Sequence, residues 1–509
     1  MEVKAVVKKL NESFCYIDTE DHFLKKSIIK ILTVEDEASK FKSKFRKYGM
    51  GVDKFEFFRL VGEAPNQKIV IPTGLLPFLE KLGIQQLKSE QEFSDKELNE
   101  FIENIENSLP FNLYEHQKNA VKNSLKFKQH SCISATGSGK SAIVSLICEF
   151  LRLKGLKGLV LVPSIDLVTQ IHNDFLDYNL KDLHNSCHLI GGENQEKHLN
   201  NILTIGTWQS IMRMKEELPK LDYIIIDECH GLKVDTKSLD IVLNSINARY
   251  RIGLTGTLPE QPQDKMAIFS VVGKPHVYIR TNGLVALGLA TPVNINVIKL
   301  KYSTQDKHRF AECSGYPEQL SFIKEHNNRN MLIAKLADNA SQKTGNTVIM
   351  TSHIQHGKDI FIEIMKLRAP ELVIENKNII GKKSFEFQQQ FRVYFINGET
   401  DAKTRTDIKK ILESDESAIL VSNYQLFSTG INIKKLSNII LASPLKSYTT
   451  ITQSIGRAIR LHVSKDTANI YDFVDMFSDR GVFAKQYQKR KTLSYEPEGF
   501  PLVEREINI

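Results

Sequence analysis

The sequence predicts an α/β protein: two units, each built on a parallel sheet, preceded by a small α+β module. Three observations carry that prediction. Short apolar runs alternate with helical periods from residue 110 to about 290, the same alternation resumes beyond 315 without close repetition of sequence, and the first 95 residues follow a different pattern.

The opening module, residues 1–95, mixes alternating segments such as KAVVKKL and KFEFFRLV with a helical stretch, LLPFLEKLG. Ten Lys or Arg lie between residues 25 and 59 against five acids, including Lys40, Lys42, Lys44, Arg46 and Lys47. They form either a solvated face or a patch that contacts phosphates.

The second element, 96–314, starts with a polar helical linker and continues with HSCISATGSGKSAIVSLICEFLRL, KGLVLVPSIDLVTQIHNDFLDY, ILTIGTWQS, LDYIIIDECH and RYRIGLTGT. Apolar strands with little internal polarity fit a sheet covered by helices on both faces. The third, 315–477, contains NTVIMTSHIQHGKDIFIEIM, FRVYFINGET, SAILVSNYQLFSTGIN, LSNIILASP and TANIYDFVDMF. Residues 478–509, with KQYQKRK, read as a basic tail.

Composition sets the bounds. The 509 residues are 41% hydrophobic, enough for real cores, and 68 Lys and Arg against 60 Asp and Glu leave +8, which weakly favours a polyanionic partner. Six cysteines form no CxxC pair, and no apolar stretch reaches 18 residues. A reducing, cytoplasmic setting with neither signal peptide nor membrane partner is expected.

Chemistry concentrates in CISATGSGKSAIVSLI. Apolar residues lead into a glycine-rich turn whose N–H groups, from Gly137 through Ser138 and Gly139 to Lys140, can converge on a β-phosphate at a helix N-terminus, with Thr136 in the same turn. Lys140 can reach the β/γ-phosphates and the Ser141 hydroxyl can ligate Mg²⁺. The general phosphate-loop formula has glycine where this chain has Ser134.

Eighty-seven residues after Lys140, the run YIIIDECH places Asp227 and Glu228 at the end of a buried strand. Asp227 suits metal ligation and Glu228 suits orienting and deprotonating a water that attacks a γ-phosphate; one carboxylate cannot readily do both. His230 is either a relay toward a nucleic-acid path or an ordinary histidine.

With these segments in order, the chain resembles the superfamily 2 DExH helicases and translocases. YEHQKNA, ATGSGKS, VPSIDLVTQ, GTWQS, DECH, TGT, VSNYQLFSTGINI and QSIGRAIR match the family's motifs across residues 110–465. PTGLLPF, FSTGI and the QSIGR segment look most like the bacteriophage UvsW type of recombination helicase. The Trp-Asp-Gly common after the N-terminal Phe-Arg segment of that type is missing from FRKYGMGVDKFEFF, which places the first module's grip on DNA in question.

The resemblance implies two RecA-like lobes that bind ATP and Mg²⁺ and move on nucleic acid. Gln117, with Tyr114 near it, would read adenine; Arg457 and Arg460 would meet the γ-phosphate from the second lobe, with Gly430 also at the nucleotide. Spacing in QSIGRAIR puts both arginines on one helical face. Thr255 and Thr257 would report the state of the carboxylates, or merely cap a strand. Thr207, Trp208, Ser352, Thr429 and Gln453 would hold a strand or couple it to hydrolysis, Trp208 serving equally well as core.

The expected substrates are branched DNA, single-stranded or duplex DNA and RNA–DNA hybrids, remodelled with 3′–5′ polarity in recombination, replication restart and repair. Recombination or single-strand-binding proteins would be protein partners. A duplex translocase that does not separate strands, an RNA helicase and a non-enzymatic nucleic-acid binder stay as alternatives.

Overall fold

A computed structural model describes residues 5–36, 53–63, 66–84, 87, 91–191, 198–214, 218, 221–234, 243–370, 384–424, 426, 433–445, 447–458, 460–462 and 465–509. The chain forms two compact units, 1–279 and 280–509. Lys40, Lys42, Lys44, Arg46, Lys47, Thr429 and Gly430 lie outside the described residues.

The first unit begins with an antiparallel four-stranded sheet in the order β1 (Val6–Lys9), β2 (Phe14–Asp18), β6 (Lys68–Pro72), β5 (Arg59–Val61). A separate pair joins β3 (Thr33–Glu35) to β4 (Lys54–Glu56). The helix His22–Ile31 starts where the Asp21 carboxylate accepts from the amides of Phe23 and Leu24, both at 2.9 Å, satisfying two of the donors a helix start leaves unpaired.

Among the described residues this module's core is continuous with that of the larger sheet: Cys15, Ile17, Ile69, Ile71, Leu75 and Leu79 pack in one cluster with Ile224, Ile226, Ile268 and Val272. Gly74, in the 3-10 helix Thr73–Leu82, lets two backbones meet, since a Cβ there would lie 2.2 Å from the Phe269 carbonyl oxygen.

The principal sheet of the first unit is parallel throughout, in the order β13 (Pro275–Ile279), β7 (Gln129–Ser134), β12 (Tyr250–Thr255), β11 (Tyr223–Ile226), β8 (Gly158–Val162), β10 (Leu203–Thr207), β9 (Cys187–Ile190). Strands β8, β10, β11 and β12 are buried along their length, as helices on both faces require.

Arg251 pins the amino end of β12 to the first module. It is fully buried, and its guanidinium donates to the carbonyls of Val271 (2.7 Å), Ile246 (2.9 Å) and Leu243 (2.9 Å), to Asn244 Oδ1 (3.3 Å) and to Ser13 Oγ (3.1 Å). With neutral acceptors around it, burial lowers its pKa to about 10.

The second unit holds a parallel sheet in the order β16 (Val393–Phe395), β17 (Ile419–Asn423), β15 (Thr347–Thr351), β18 (Asn438–Leu441), β19 (Ala468–Met476), β14 (Val293–Lys301), β20 (Leu502–Asn508). Two expectations change here. Residues 293–301, read as a connector of the first unit, form a nine-residue strand of the second sheet. Residues 478–509, read as a basic tail, contain the helix Val482–Arg490 and the edge strand β20.

Charge pairing holds that edge. Arg490 and Tyr495 both bind the buried Asp472, while Glu504 of β20 accepts from Lys299 (2.5 Å), Tyr487 and Lys491 (3.2 Å). Alternating Glu and Arg in LVEREIN suits a strand with one exposed edge, a pattern easily mistaken for a tail. Among the described residues no helix is long and apolar enough to cross a membrane.

Replacing Arg251 with Leu leaves several buried acceptors unpaired and should cost about 3 kcal/mol or more, read as a lower urea midpoint. Lys299, then Tyr487, depress the Glu504 pKa to about 2, so its contribution to stability is present above the ordinary glutamate value of about 4.3 and is lost as pH falls through about 2. Acid titration of Glu504→Gln should therefore show a shallower loss of stability across that window than the parent.

Candidate active site

Parallel strands bring the predicted residues of the first unit to one sheet edge. The glycine-rich loop runs from the end of β7 into the helix Lys140–Leu153. Gly137 and Gly139 take φ of +86° and +80°, left-handed values that turn successive N–H groups inward. A Cβ on Gly137 would meet nothing within 4 Å, so the concavity beside it is open. Lys140 Nζ lies 3.5 Å from the Ser134 carbonyl oxygen, folded over the loop it serves.

Gln117 lies under this loop. Its Nε2 donates to the Ser138 carbonyl at 3.0 Å, its Oε1 accepts from the Tyr114 amide at 2.9 Å, and a Cβ on Gly139 would sit 2.2 Å from Nε2. His116 Nε2 also contacts the Ser138 oxygen at 3.0 Å, and its ring stacks on the half-exposed Tyr114. Both ends of the Gln117 amide thus meet backbone, leaving one N–H and one lone pair for a base. Thr136 borders the turn after β12: a Cβ on Gly256 would come 3.2 Å from its hydroxyl.

Asp227 and Glu228 follow β11, which is separated from the phosphate-loop strand by β12, so the carboxylates stand about 10 Å along the edge from the end of β7, given about 4.8 Å between strands. Burial and then the Glu228 charge raise the Asp227 pKa, while Lys140 and the Glu228 amide lower it. Glu228 itself sits at φ +50°, left-handed for a residue with a Cβ, and its amide donates to Asp227 Oδ1 at 3.0 Å. Such a conformation costs about 1–3 kcal/mol and is sustained by the neighbouring structure.

His230 supplies part of that support. Its Nδ1 lies 3.2 Å from Glu228 Oε2 and 2.9 Å from Thr255 Oγ1. The Thr255 hydroxyl donates to the Thr257 carbonyl at 2.9 Å, so the hydrogen between His230 and Thr255 belongs to Nδ1. A continuous polar path therefore links Glu228, at the end of β11, to Thr257, beyond β12.

Thr207 and Trp208 are placed in packing. The Thr207 hydroxyl caps the short helix Trp208–Ile211, accepting from the Ser210 amide, and the Trp208 ring lies over Gly231, where a Cβ would meet it at 2.0 Å. Sequence reading missed Asp174 and Tyr178, whose pKa values are raised by burial and lowered by the nearby Ser141 hydroxyl; only tertiary packing brings the helix Ile165–Asp177 to that serine.

In the second unit, Ser352 follows β15 and enters a directional hydrogen-bond chain. Burial, with Arg329 beside it, holds the His356 pKa well below its usual value, so the ring is neutral and donates through one nitrogen only. Asn330 Oδ1, 3.1 Å from Nε2, takes that hydrogen. The Ser443 hydroxyl then donates to Nδ1 at 2.8 Å, and Ser443 Oγ accepts from the Ser352 amide at 3.0 Å.

Gln453 and Arg457 lie four apart on the helix Tyr448–Ala458 and share a face. The expectation of Arg460 on that same face is corrected: the helix ends at Ala458 and Arg460 lies in a bend beyond it. Its Nε is buried with no partner among the described residues, and burial lowers its pKa.

The open glycine cradle and the oxygen ligands of Ser141 and Asp227 fit a magnesium nucleotide. A parallel α/β sheet with such a loop and paired carboxylates defines a nucleotide-hydrolysing motor. The family model described as the type III restriction enzyme res subunit matches residues 110–260, and the helicase conserved C-terminal domain matches 331–462.

ATP-dependent DNA helicase uvsW of Enterobacteria phage T4 is 30% identical over 420 residues, covering 81% of this chain and 78% of that protein. DNA 3′-5′ translocase XPB2 of Sulfurisphaera tokodaii is 25% identical over 394 residues, covering 72% and 84%. The DNA-bound type ISP restriction-modification enzyme LlaBIII shares the fold, with a TM-score of 0.54 at 18% identity over 79% of this chain and 32% of that one. The chain belongs to the superfamily 2 helicases and translocases related to bacteriophage UvsW, and is an ATP-hydrolysing nucleic-acid motor.

Ser443→Ala breaks the link that holds the Ser352 amide. The single-stranded DNA concentration for half-maximal ATPase should rise several-fold with the maximal rate unchanged, and Ser443→Thr, which keeps a hydroxyl, should restore part of the affinity.

Proposed function

We propose that this protein is an ATP-dependent DNA helicase that unwinds or branch-migrates forks, four-way junctions and R-loops with 3′–5′ polarity. The observation that carries the reading is the polar path from Glu228 through His230 and Thr255 to Thr257, which ties the hydrolytic carboxylate to a second strand end. A relative 30% identical over most of both chains is a DNA helicase by its printed name.

Lys140 binds the β/γ-phosphates, and Glu228 orients a water and accepts its proton. Magnesium, when bound at Ser141 and Asp227, supplies charge neutralisation at the phosphates. Arg457 and Arg460 stabilise charge on the terminal phosphate, while Thr429 and Gly430, with Ser352, contribute to the nucleic-acid and nucleotide grips. His230 couples hydrolysis to that grip, and phosphate contacts dominate affinity, so base sequence matters little.

Lys140→Ala should abolish phosphate release and leave DNA binding largely intact; undiminished turnover would overturn the site. His230→Ala should keep basal ATPase within about three-fold while removing most of its stimulation by DNA. An unwinding panel of fork, four-way junction, R-loop and RNA duplex, run beside a triplex-displacement assay, separates the DNA helicase from an RNA helicase and from a translocase that leaves strands paired.

A further inference from the structure

Far from the phosphate loop, at the amino-terminal edge of the same sheet, the 3-10 helix Thr73–Leu82 and the starts of three strands enclose a cavity of about 620 Å³. The motor chemistry uses none of its residues. Lys128, Arg249 and Lys274 each immediately precede a strand, β7, β12 and β13, and these strands are neighbours in the order β13-β7-β12. The ladder partners Pro275–Ser131 and Arg251–Gln129 stagger the three residues, so their Cα atoms run in a diagonal row roughly 14 Å long, given about 4.8 Å between strands and about 3.3 Å per residue.

Lys128 and Arg249 share one carboxylate, Glu92, at 3.4 and 2.5 Å, and among the described residues Lys274 makes no ion pair. The row keeps about two positive charges after pairing. Elsewhere in the lining, Lys9 is paired with Glu12 at 2.5 Å, and Glu80 adds one carboxylate.

The cavity is also aromatic. Phe127 is 48% exposed, stacks on His276 with centroids 5.2 Å apart and planes within 15°, and lines the space together with Leu76 and Pro77. The Thr73 hydroxyl, also in the lining, is buried without a hydrogen-bond partner among the described residues. Cations beside an exposed ring form the combination that takes the phosphates and a base of one strand together. A duplex keeps its bases stacked inside and would leave the exposed part of Phe127 uncovered.

We propose that this cavity is a second nucleic-acid site, which holds a single-stranded arm of the branched substrate by stacking a base on Phe127 and setting its phosphates against Lys274 and Arg249. This rests on the reading that the substrate is branched. It adds a contact distinct from the strand path at the carboxyl-terminal edge, so one chain could grip two arms of a fork.

The test is fluorescence anisotropy of the full chain without nucleotide, using a labelled fork with one dT20 arm and the same duplex with blunt ends, across a salt series. Lys274→Ala should weaken the fork about 3- to 10-fold and lower its log–log salt slope by about 0.7, the share of one single-strand phosphate, with blunt duplex unchanged. Phe127→Ala should weaken the fork about 10-fold or more without changing the salt slope, consistent with one lost stack.

An iodouracil-bearing arm should photo-crosslink within the peptide that carries Phe127. Because Lys274 is exposed, its variant keeps the test decisive if Phe127→Ala misfolds. Unchanged fork affinity in Lys274→Ala, an equal loss on blunt duplex, or displacement of the fork arm by a polyglutamate peptide from the crosslinked site while dT20 fails to compete would each overturn the proposal. Lys140→Ala turnover judges the motor reading independently, since this binding needs no ATP.

Discussion

Parallel alignment of the strands is the constraint on which everything else depends. When every strand of a sheet points the same way, each loop that leaves a strand emerges at one edge, whatever its distance along the chain. The phosphate loop, Asp227 with Glu228, and Thr255 with Thr257 come at the ends of β7, β11 and β12 in that way. The second sheet does the same for Ser352 and Ser443, which lie just past β15 and β18. The opposite edge collects residues that precede strands, and the row of Lys128, Arg249 and Lys274 exists for the same reason.

Both sets of candidate side chains are held by polar networks. His230 donates from Nδ1 to Thr255, and the same nitrogen stands 3.2 Å from Glu228 Oε2, so the ring bridges the ends of β11 and β12. His356 is neutral because charging it would require burying a cation beside Arg329, and neutrality is what gives its hydrogen-bond chain a direction. The left-handed backbone at Glu228 belongs to the same arrangement, strain held by the surrounding packing.

Residues whose placement comes from local spacing were readable in the chain. Gly137, Gly139, Lys140 and Ser141 are consecutive or nearly so, and their chemistry needs only a turn and a helix start. The parallel sheets were readable too, because unbroken apolar strands between helical periods have few other solutions. Arg251 was invisible: an arginine at the start of a strand looks like surface until its five acceptors, drawn from residues 13 to 271, are brought round it. Arg460 was misplaced because helical spacing was extended past the point where the helix ends.

By itself the sequence determined the two α/β units, the phosphate loop and the carboxylate pair, since backbone turns and alternating hydrophobicity act over a few residues. Tertiary structure alone decided that β14 and β20 complete the second sheet, that Gln117 braces the phosphate loop, and that Trp208 packs on Gly231. Those outcomes depend on which distant backbones pair and which volumes remain to be filled. Neither quantity is defined until the strands have been ordered.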